Sequence, residues 1–372
     1  MRVIKSGANL LGVDGLERLC EAVRTFLSKG AAICACLVAW AYAWTVSVVH
    51  AADVSGLQRD VVFDSYTPLS GGAQLTQRLL SPLMAMRVQR AIAALARTPP
   101  DEAVDLTREK FVLYVPAAEP PQGYALMVFV PPWEEAKLPL GWASVLDRHG
   151  IIFVSAANSG NAANVLDRRE PLALLAAYNV ERHYRVDASR VYVGGFSGGA
   201  RVALRLALGY PDLFHGALLN AGSDPIGDEQ IPIPSAQLFR EFQESTRLIY
   251  LTGKNDSFHL DQDLRSRRSM QEWCVEGVVT QTVPWIGHEV AEAAALDHAL
   301  SALRAPIAPD PQKQVCDSGV VDAVLAKTRE VQTLIANGKT EQARAALQML
   351  DARYGGLASP RSLELADKLN VH

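Results

Sequence analysis

The chain has 372 residues, enough for two domains or one large domain with an appendage at roughly 150 residues per domain. Its 49% hydrophobic, 20% charged and 7% aromatic residues exclude a disordered, collagen-like or small disulfide-scaffold chain. With 36 basic against 40 acidic residues, a net charge of −4 and no basic stripe, nucleic acid is not an expected partner.

The first fifty residues do not read as part of a folded core. Ala31 to Val49 is an uncharged run of 19 residues, preceded by a segment carrying Arg2, Lys5, Arg18, Arg24 and Lys29 against Asp14, Glu17 and Glu21. A basic segment, an apolar stretch and small residues at Val49 and Ala51 predict an export signal over residues 1–51, cleaved after Ala51. The alternative is an uncleaved anchor, because the apolar run nearly spans a bilayer. Either reading places the rest of the chain, periplasmic or secreted, on the non-cytoplasmic side, with membrane contact only if the segment is uncleaved. The signal takes Cys20, Cys34 and Cys36 with it and leaves Cys274 and Cys316. In an oxidising compartment these two are expected to form a disulfide, the alternative being two buried thiols. No CxxC pair or His-rich cluster marks a structural metal.

Residues 52–306 alternate short β-branched runs with helical stretches, the mark of an α/β fold with a mostly parallel sheet flanked by helices. Two early strands are predicted at 61–67 (VVFDSYT) and 110–116 (KFVLYVP), separated by an amphipathic helix from Leu75 to Ala96 that ends before Pro99 and Pro100. Buried strands then follow at 124–130, 150–156, 190–196, 216–222, 247–253 and 278–285. Helices are expected near Pro171 to Tyr184, Ala200 to Leu208, Asp261 to Glu276 and Ala291 to Leu303. The stretch from Asp224 to Ser245 breaks this rhythm with Pro225, Pro232 and Pro234, and reads as an insertion.

Residues 307–372 begin with a linker carrying Pro309 and Pro311 and continue as a small C-terminal helical hairpin. Val321, Leu325, Val331 and Leu334 recur at helical spacing, Gly338 closes that helix, and Thr340 caps a second helix with Ala343, Leu347 and Leu350. Ser359 followed by Pro360 predicts a third helix, with serine as N-cap and proline at the first helical position. The pair resembles one tetratricopeptide-type unit, which cannot bury its apolar face alone and so should pack on the larger domain.

The chemistry is announced by Gly195-Phe196-Ser197-Gly198-Gly199, between a predicted strand, VYVG, and a predicted helix, ARVALRLAL. In that context G-x-S-x-G is a nucleophile elbow. The turn is so tight that the serine backbone is strained, and glycines at 195 and 199 let the helix pass close to the strand. Ser197 is then exposed at the C-terminal edge of the sheet, with the Gly198 N–H available to a developing oxyanion.

A serine needs a base and an orienting carboxylate on the same edge. Residues just after a strand of a parallel sheet lie on that edge, and residues just before a strand lie on the opposite one. His149, His183 and His215 each precede a predicted strand and are set aside. His288 follows the last strand and His259 the one before. His288 is preferred as base, since it comes last in the order Ser, acid, His of α/β-hydrolases and His259 would leave the final strand without a role. Asp256 in LTGKND is the preferred acid and Asp224 in NAGSDP the alternative, while Asp261 and Asp263 are ascribed to the first turn of the next helix.

At these residues the chain resembles the α/β-hydrolase superfamily, and within it exported esterases similar to polyhydroxybutyrate depolymerases and feruloyl esterases. The resemblance runs from about Lys110 to Leu303 and rests on RVYVGGFSGGARVALRLALGYPDLF, TGKND, GHE and HGIIFVSAANSGN. It implies a serine hydrolase that cleaves a carboxylic ester through Ser197, His288, Asp256 and an acyl-enzyme, without a cofactor or metal. A small or polymeric ester would be the partner, with Asn158 and Asn161 at the mouth of the site or serving only the turn. The sequence departs from such esterases where His-Gly commonly follows the third strand, for here it reads VFVPPWEEA. Pro131 and Pro132 have no N–H, so the second oxyanion donor is expected to be the amide of Trp133, with that of Glu134 next in line. A catalytically impaired binding protein, or a peptidase or acyltransferase with the same triad, is the alternative.

Overall fold

The computed structural model describes residues 55–94 and 104–371. The predicted signal with its cleavage site, and the end of the first predicted helix with Pro99 and Pro100, lie outside the described residues. Among the described residues no helix is long and apolar enough to cross a membrane.

An eight-stranded sheet organises the molecule: β1 (Gly56–Val61), β2 (Phe111–Val115), β3 (Tyr124–Val130), β4 (Ile151–Ala156), β5 (Val186–Phe196), β6 (Gly216–Asn220), β7 (Arg247–Gly253) and β8 (Val278–Val283). Their order across the sheet is β1-β2-β4-β3-β5-β6-β7-β8. Only β2 runs against its neighbours, and every pairing from β4 through β8 is parallel. This is the α/β-hydrolase fold.

Alternation builds two apolar layers. In β3, Leu126, Val128 and Val130 point to one face while Ala125, Met127 and Phe129 point to the other. The first face is covered by α4 (Glu170–His183) and α5 (Gly198–Gly209), the second by α3 (Trp142–His149) and α8 (Ala293–Leu303). Strands buried on both faces read as continuous hydrophobic runs, which is why β3 and β4 were readable from sequence.

The first strand differs from its expectation. The residues in extended pairing are GLQRDV at 56–61, and the chain from Phe63 to Thr67 leaves the sheet. Phe63 is still buried, and the Asn179 side chain of α4 replaces the missing ladder: its Oδ1 accepts from the Ser65 N–H at 3.1 Å and its Nδ2 donates to the Ser65 carbonyl at 2.7 Å. The single early helix is two, α1 (Gly72–Leu79) and α2 (Pro82–Ala94), because Leu80 is extended before Pro82. Helices α3 and α6 (Ala236–Ser245) were not expected, and α6 lies in the proline-bearing insertion.

The C-terminal segment forms α9 (Lys313–Ala336), α10 (Thr340–Tyr354) and α11 (Arg361–Lys368). The described residues belong to one compact unit. Leu83 of α2 joins Val331, Leu347, Leu350 and Leu365 in a third apolar cluster, and the buried Asp351 accepts from Ser81 Oγ and from the Leu83 N–H. The Arg353 guanidinium lies 4.7 Å from the Trp273 ring centroid. Cys274 and Cys316 are disulfide-bonded with Cα atoms 5.9 Å apart, joining the end of α7 (Ser257–Glu272) to α9. Ser359 does not cap the last helix: the Ser359–Pro360 bond is cis and Pro360 occupies the N-cap. Thr340 is the first residue of α10, with Lys339 at its cap. Val321 and Leu325 are exposed, so the face of α9 packed on the cluster is narrower than their spacing suggested.

Candidate active site

Four loops at the C-terminal edge of neighbouring strands converge: 131–135 after β3, the elbow after β5, 254–256 after β7 and 284–291 after β8. Ser197 sits between β5 and α5 with φ 55° and ψ −123°, in a region L-residues rarely adopt. Its N–H is held by the Asn220 carbonyl at 2.8 Å. A Cβ on Gly195 would collide with the backbone of Gly199, and one on Gly199 with the Val130 carbonyl. Only glycine at both positions lets α5 pass this close to β3 and β5.

The structure brings three of the predicted residues into line. His288 Nε2 is 3.0 Å from Ser197 Oγ, and His288 Nδ1 is 2.7 Å from Asp256 Oδ2. With Nδ1–H donating to the carboxylate, Nε2 is the free acceptor for the serine hydroxyl. Asp256 is buried and caps α7, where its Oδ1 also accepts from the His259 N–H at 3.3 Å. Burial pushes its pKa up, but hydrogen bonds from His259 and His288 outweigh this and hold it below the ordinary carboxylate value. Asp224 makes no such contact. Its nearest charge partner is Arg201 Nε at 3.7 Å, and burial raises its pKa.

Several residues that sequence reasoning missed hold this arrangement. The buried Asn220 donates through Nδ2 to the Leu251 carbonyl at 3.0 Å and accepts at Oδ1 from the Ala291 N–H at 2.7 Å. Together with its bond to Ser197, it ties the serine, the acid strand and the histidine loop to the end of β6. Asp263 is a correction: it is not a solvated first-turn acid but a buried one, accepting from Ser223 Oγ and Thr252 Oγ1, each at 2.6 Å. It anchors α7, and hence Asp256, to the sheet. Burial lifts its pKa, opposed by those two donors. His259 does not face the serine but Asp256, its Nδ1 lying 2.8 Å from Oδ2.

The residues expected at the oxyanion lie close by. The Gly198 N–H stands at the first position of α5, outside the helical ladder. The Trp133 N–H donates to no backbone acceptor among the described residues. The Trp133 ring is half-buried between Phe129 and Phe196, with centroids 6.4 and 6.1 Å away, and Phe196 is 4.8 Å from His288. The carbonyl of Glu134 accepts from the Asn158 N–H at 2.7 Å and that of Pro132 from the Asn161 N–H at 3.0 Å, so the loop after β4 braces the loop after β3. Asn161 lines a cavity of about 630 Å³ together with Ser197 and Gly198, whereas Asn158 is not among its lining residues. Asn158 has φ 51° and serves the turn. Asp256, His259 and His288 are also close enough together to share a cation, although the hydrogen bonds just described already use their facing atoms.

No protein-family model matches the chain, and no curated protein matches it. Solved structures do. A ferulic acid esterase is similar at 16% identity over 53% of this chain and 92% of its own, with a TM-score of 0.41. The fluorophosphonate-binding serine hydrolase F of Staphylococcus aureus is similar at 13% identity over 52% of this chain and 92% of its own, with a TM-score of 0.43. Dipeptidyl peptidase 4 of Porphyromonas gingivalis has 13% identity and a TM-score of 0.39 over 52% of this chain, which spans only 33% of that protein. The chain likewise spans 34% of the Bacteroides ovatus structure described as a dipeptidyl aminopeptidase IV.

Proposed function

We propose that the protein is an exported serine hydrolase that cleaves a carboxylic ester. The observation that carries this reading is the unbroken line from Asp256 through His288 to Ser197, at 2.7 and 3.0 Å, ending on a serine with a strained backbone. His288 Nε2 takes the Ser197 proton as Oγ attacks the acyl carbon, and the carboxylate of Asp256 stabilises the resulting imidazolium. The amides of Gly198 and Trp133 receive the oxyanion. His288 then returns the proton to the departing alkoxide, leaving an acyl-enzyme that water releases by the same steps reversed. The chemistry needs no cofactor.

Export is supported by the basic and apolar N-terminal sequence and by the disulfide, which belongs to an oxidising compartment. The test is labelling of the mature protein by a fluorophosphonate, alongside p-nitrophenyl esters of increasing chain length, a hydroxycinnamate ester and a polyhydroxyalkanoate. Labelling that is lost in Ser197→Ala, with turnover of at least one ester, is expected. Absence of both would favour a binding protein on the same fold. Labelling with turnover of peptide substrates alone would favour a peptidase.

A further inference from the structure

The cavity that opens on Ser197 is lined by three arginines, Arg169, Arg201 and Arg205, against the single carboxylate of Asp224. Two of them follow from the helix itself. Residues 201 and 205 stand four and eight positions after Ser197, so they rise on the same face of α5, about 6 and 12 Å along its axis. The third comes from the segment before α4.

Each guanidinium is fixed by its surroundings. Arg205 Nε donates to Glu170 Oε1 at 2.7 Å, a carboxylate fully buried behind the cavity. Arg201 Nη2 donates to the Gln262 side chain at 2.8 Å, while its Nε is buried with no hydrogen-bond partner. Arg169 is the most unusual of the three. It is 4% exposed, and its Nε and Nη2 donate to the carbonyls of Ser159 and Pro131, each at 2.9 Å. No carboxylate forms an ion pair with it among the described residues. Its hydrogen-bond acceptors are neutral carbonyls, and burial lowers its pKa, opposed by the nearby charges of Glu134 and Glu170. Asp224 is already engaged with Arg201 and is itself disfavoured as an anion by burial.

Resting on the esterase reading, we propose that this cavity binds a carboxylate carried by the substrate, so that the protein acts on esters of acids or alcohols bearing a second, anionic end. Planar guanidinium groups with unused N–H donors match a carboxylate in two-point fashion. A carboxylate two to four carbons from the ester carbonyl would reach the Arg201 level while the carbonyl stays on Ser197. This differs from a purely apolar acyl pocket, for which three fixed cations would be a penalty.

The test compares 4-nitrophenyl hydrogen glutarate with its neutral methyl ester, reading nitrophenolate release in both. In the wild type the ratio of kcat/KM, anionic over neutral, should exceed about ten, and Arg201→Gln should lower that ratio by about tenfold, one charge-assisted contact being lost. Glutarate should inhibit turnover of the methyl ester competitively and raise the melting temperature of the wild type more than that of Arg201→Gln. The thermal shift stands even if neither ester is turned over, so it separates failure of this inference from failure of the esterase reading. A ratio near one that Arg201→Gln leaves unmoved, with no thermal shift by glutarate, overturns the proposal. Inhibition by inorganic phosphate but not by glutarate overturns the carboxylate assignment. If Arg201→Gln does not fold, Arg201→Met, which also removes the charge, serves the same comparison.

Discussion

The imidazole of His259 lies against that of His288, ring centroids 4.1 Å apart and planes within 9° of parallel, and both Nδ1 atoms face the carboxylate of Asp256. One buried acid therefore orients two stacked rings, of which only one reaches the serine. His259 works through Asp256: it supplies a second donor that keeps the carboxylate ionised and fixed in rotation. His259→Gln or His259→Phe should lower kcat about tenfold, the order expected for one hydrogen bond to a charged group of about 1.5–3 kcal/mol, partly replaced by water. KM should move little.

The same relationship sets the pH profile. Asp256 is held below the ordinary carboxylate value, so its contribution is present at neutral pH and is lost only as pH falls through that depressed value. His259→Phe removes one of the hydrogen bonds that hold this carboxylate down, so its value should rise in that variant. Turnover measured against pH should therefore fall off on the acid side at a higher pH in His259→Phe than in the wild type. Coincident acid limbs in the two profiles would reduce His259 to a packing residue.

The two candidate acids separate cleanly by mutation. Ser197→Ala and His288→Ala should each lower turnover by roughly 10⁶, and Asp256→Asn by about 10⁴, with the fold intact by circular dichroism. Asp224→Asn should fall far short of this, since its carboxylate meets Arg201 and no histidine. Steady-state kinetics that rank Asp224→Asn as the worse variant would move the acid to the loop after β6.

What could be read from the chain was local, and what could not be read was lateral. Strands buried on both faces appear as apolar runs, and the turn at Ser197 appears as glycines between a strand and a helix, so their order along the chain was legible. GLQRDV at 56–61 has no alternation and a single β-branched residue, Val61, to mark it, and it becomes a strand only because β2 offers an edge. Asp263 reads as an ordinary helix acid until β7 and the loop after β6 bring Thr252 and Ser223 to it. Arg201 and Arg205 look like solvated cations on a helix face. Their meaning depends on Arg169, distant in sequence, closing the other side of the cavity. For His259, the signal was present as a histidine three residues after an aspartate, but the rule sorting histidines by strand edge allows one base and has no place for a second ring.

The disulfide joins residues 42 apart in sequence, and on the chain-entropy relation such a closure stabilises by about 4 kcal/mol. It clamps the end of α7, the helix that Asp256 caps, to α9. Cys316→Ser should lower the melting temperature by several degrees while leaving kcat within about twofold at 25 °C, because Asp263 still anchors α7 from the other side. Two free thiols found in denatured, unreduced mature protein would remove the bond and this expectation together.

The loop Pro131-Pro132-Trp133 supplies the last prediction. A tetrahedral intermediate needs donors about 2.7 to 3.1 Å from its oxygen, and losing one costs roughly 3 kcal/mol. Two successive prolines leave only one early amide in this loop, and their fixed φ angles limit where it can point. Arg169 grips the Pro131 carbonyl, and the Asn161 N–H grips that of Pro132, so the peptide preceding Trp133 is held from both sides while its N–H meets no backbone acceptor. Replacing Trp133 by Pro removes that N–H and should lower kcat by about 10² to 10³. Trp133→Phe keeps the N–H and changes only the ring that packs between Phe129 and Phe196; it should cost less than tenfold in kcat and alter the preference among acyl chains instead. A boronate bound to Ser197 would show its oxygen between the amides of Gly198 and Trp133. If the oxygen meets the Glu134 amide, the donor lies one residue further along. If it meets neither, the loop serves only as a wall, and Trp133→Pro and Trp133→Phe should then be equally mild.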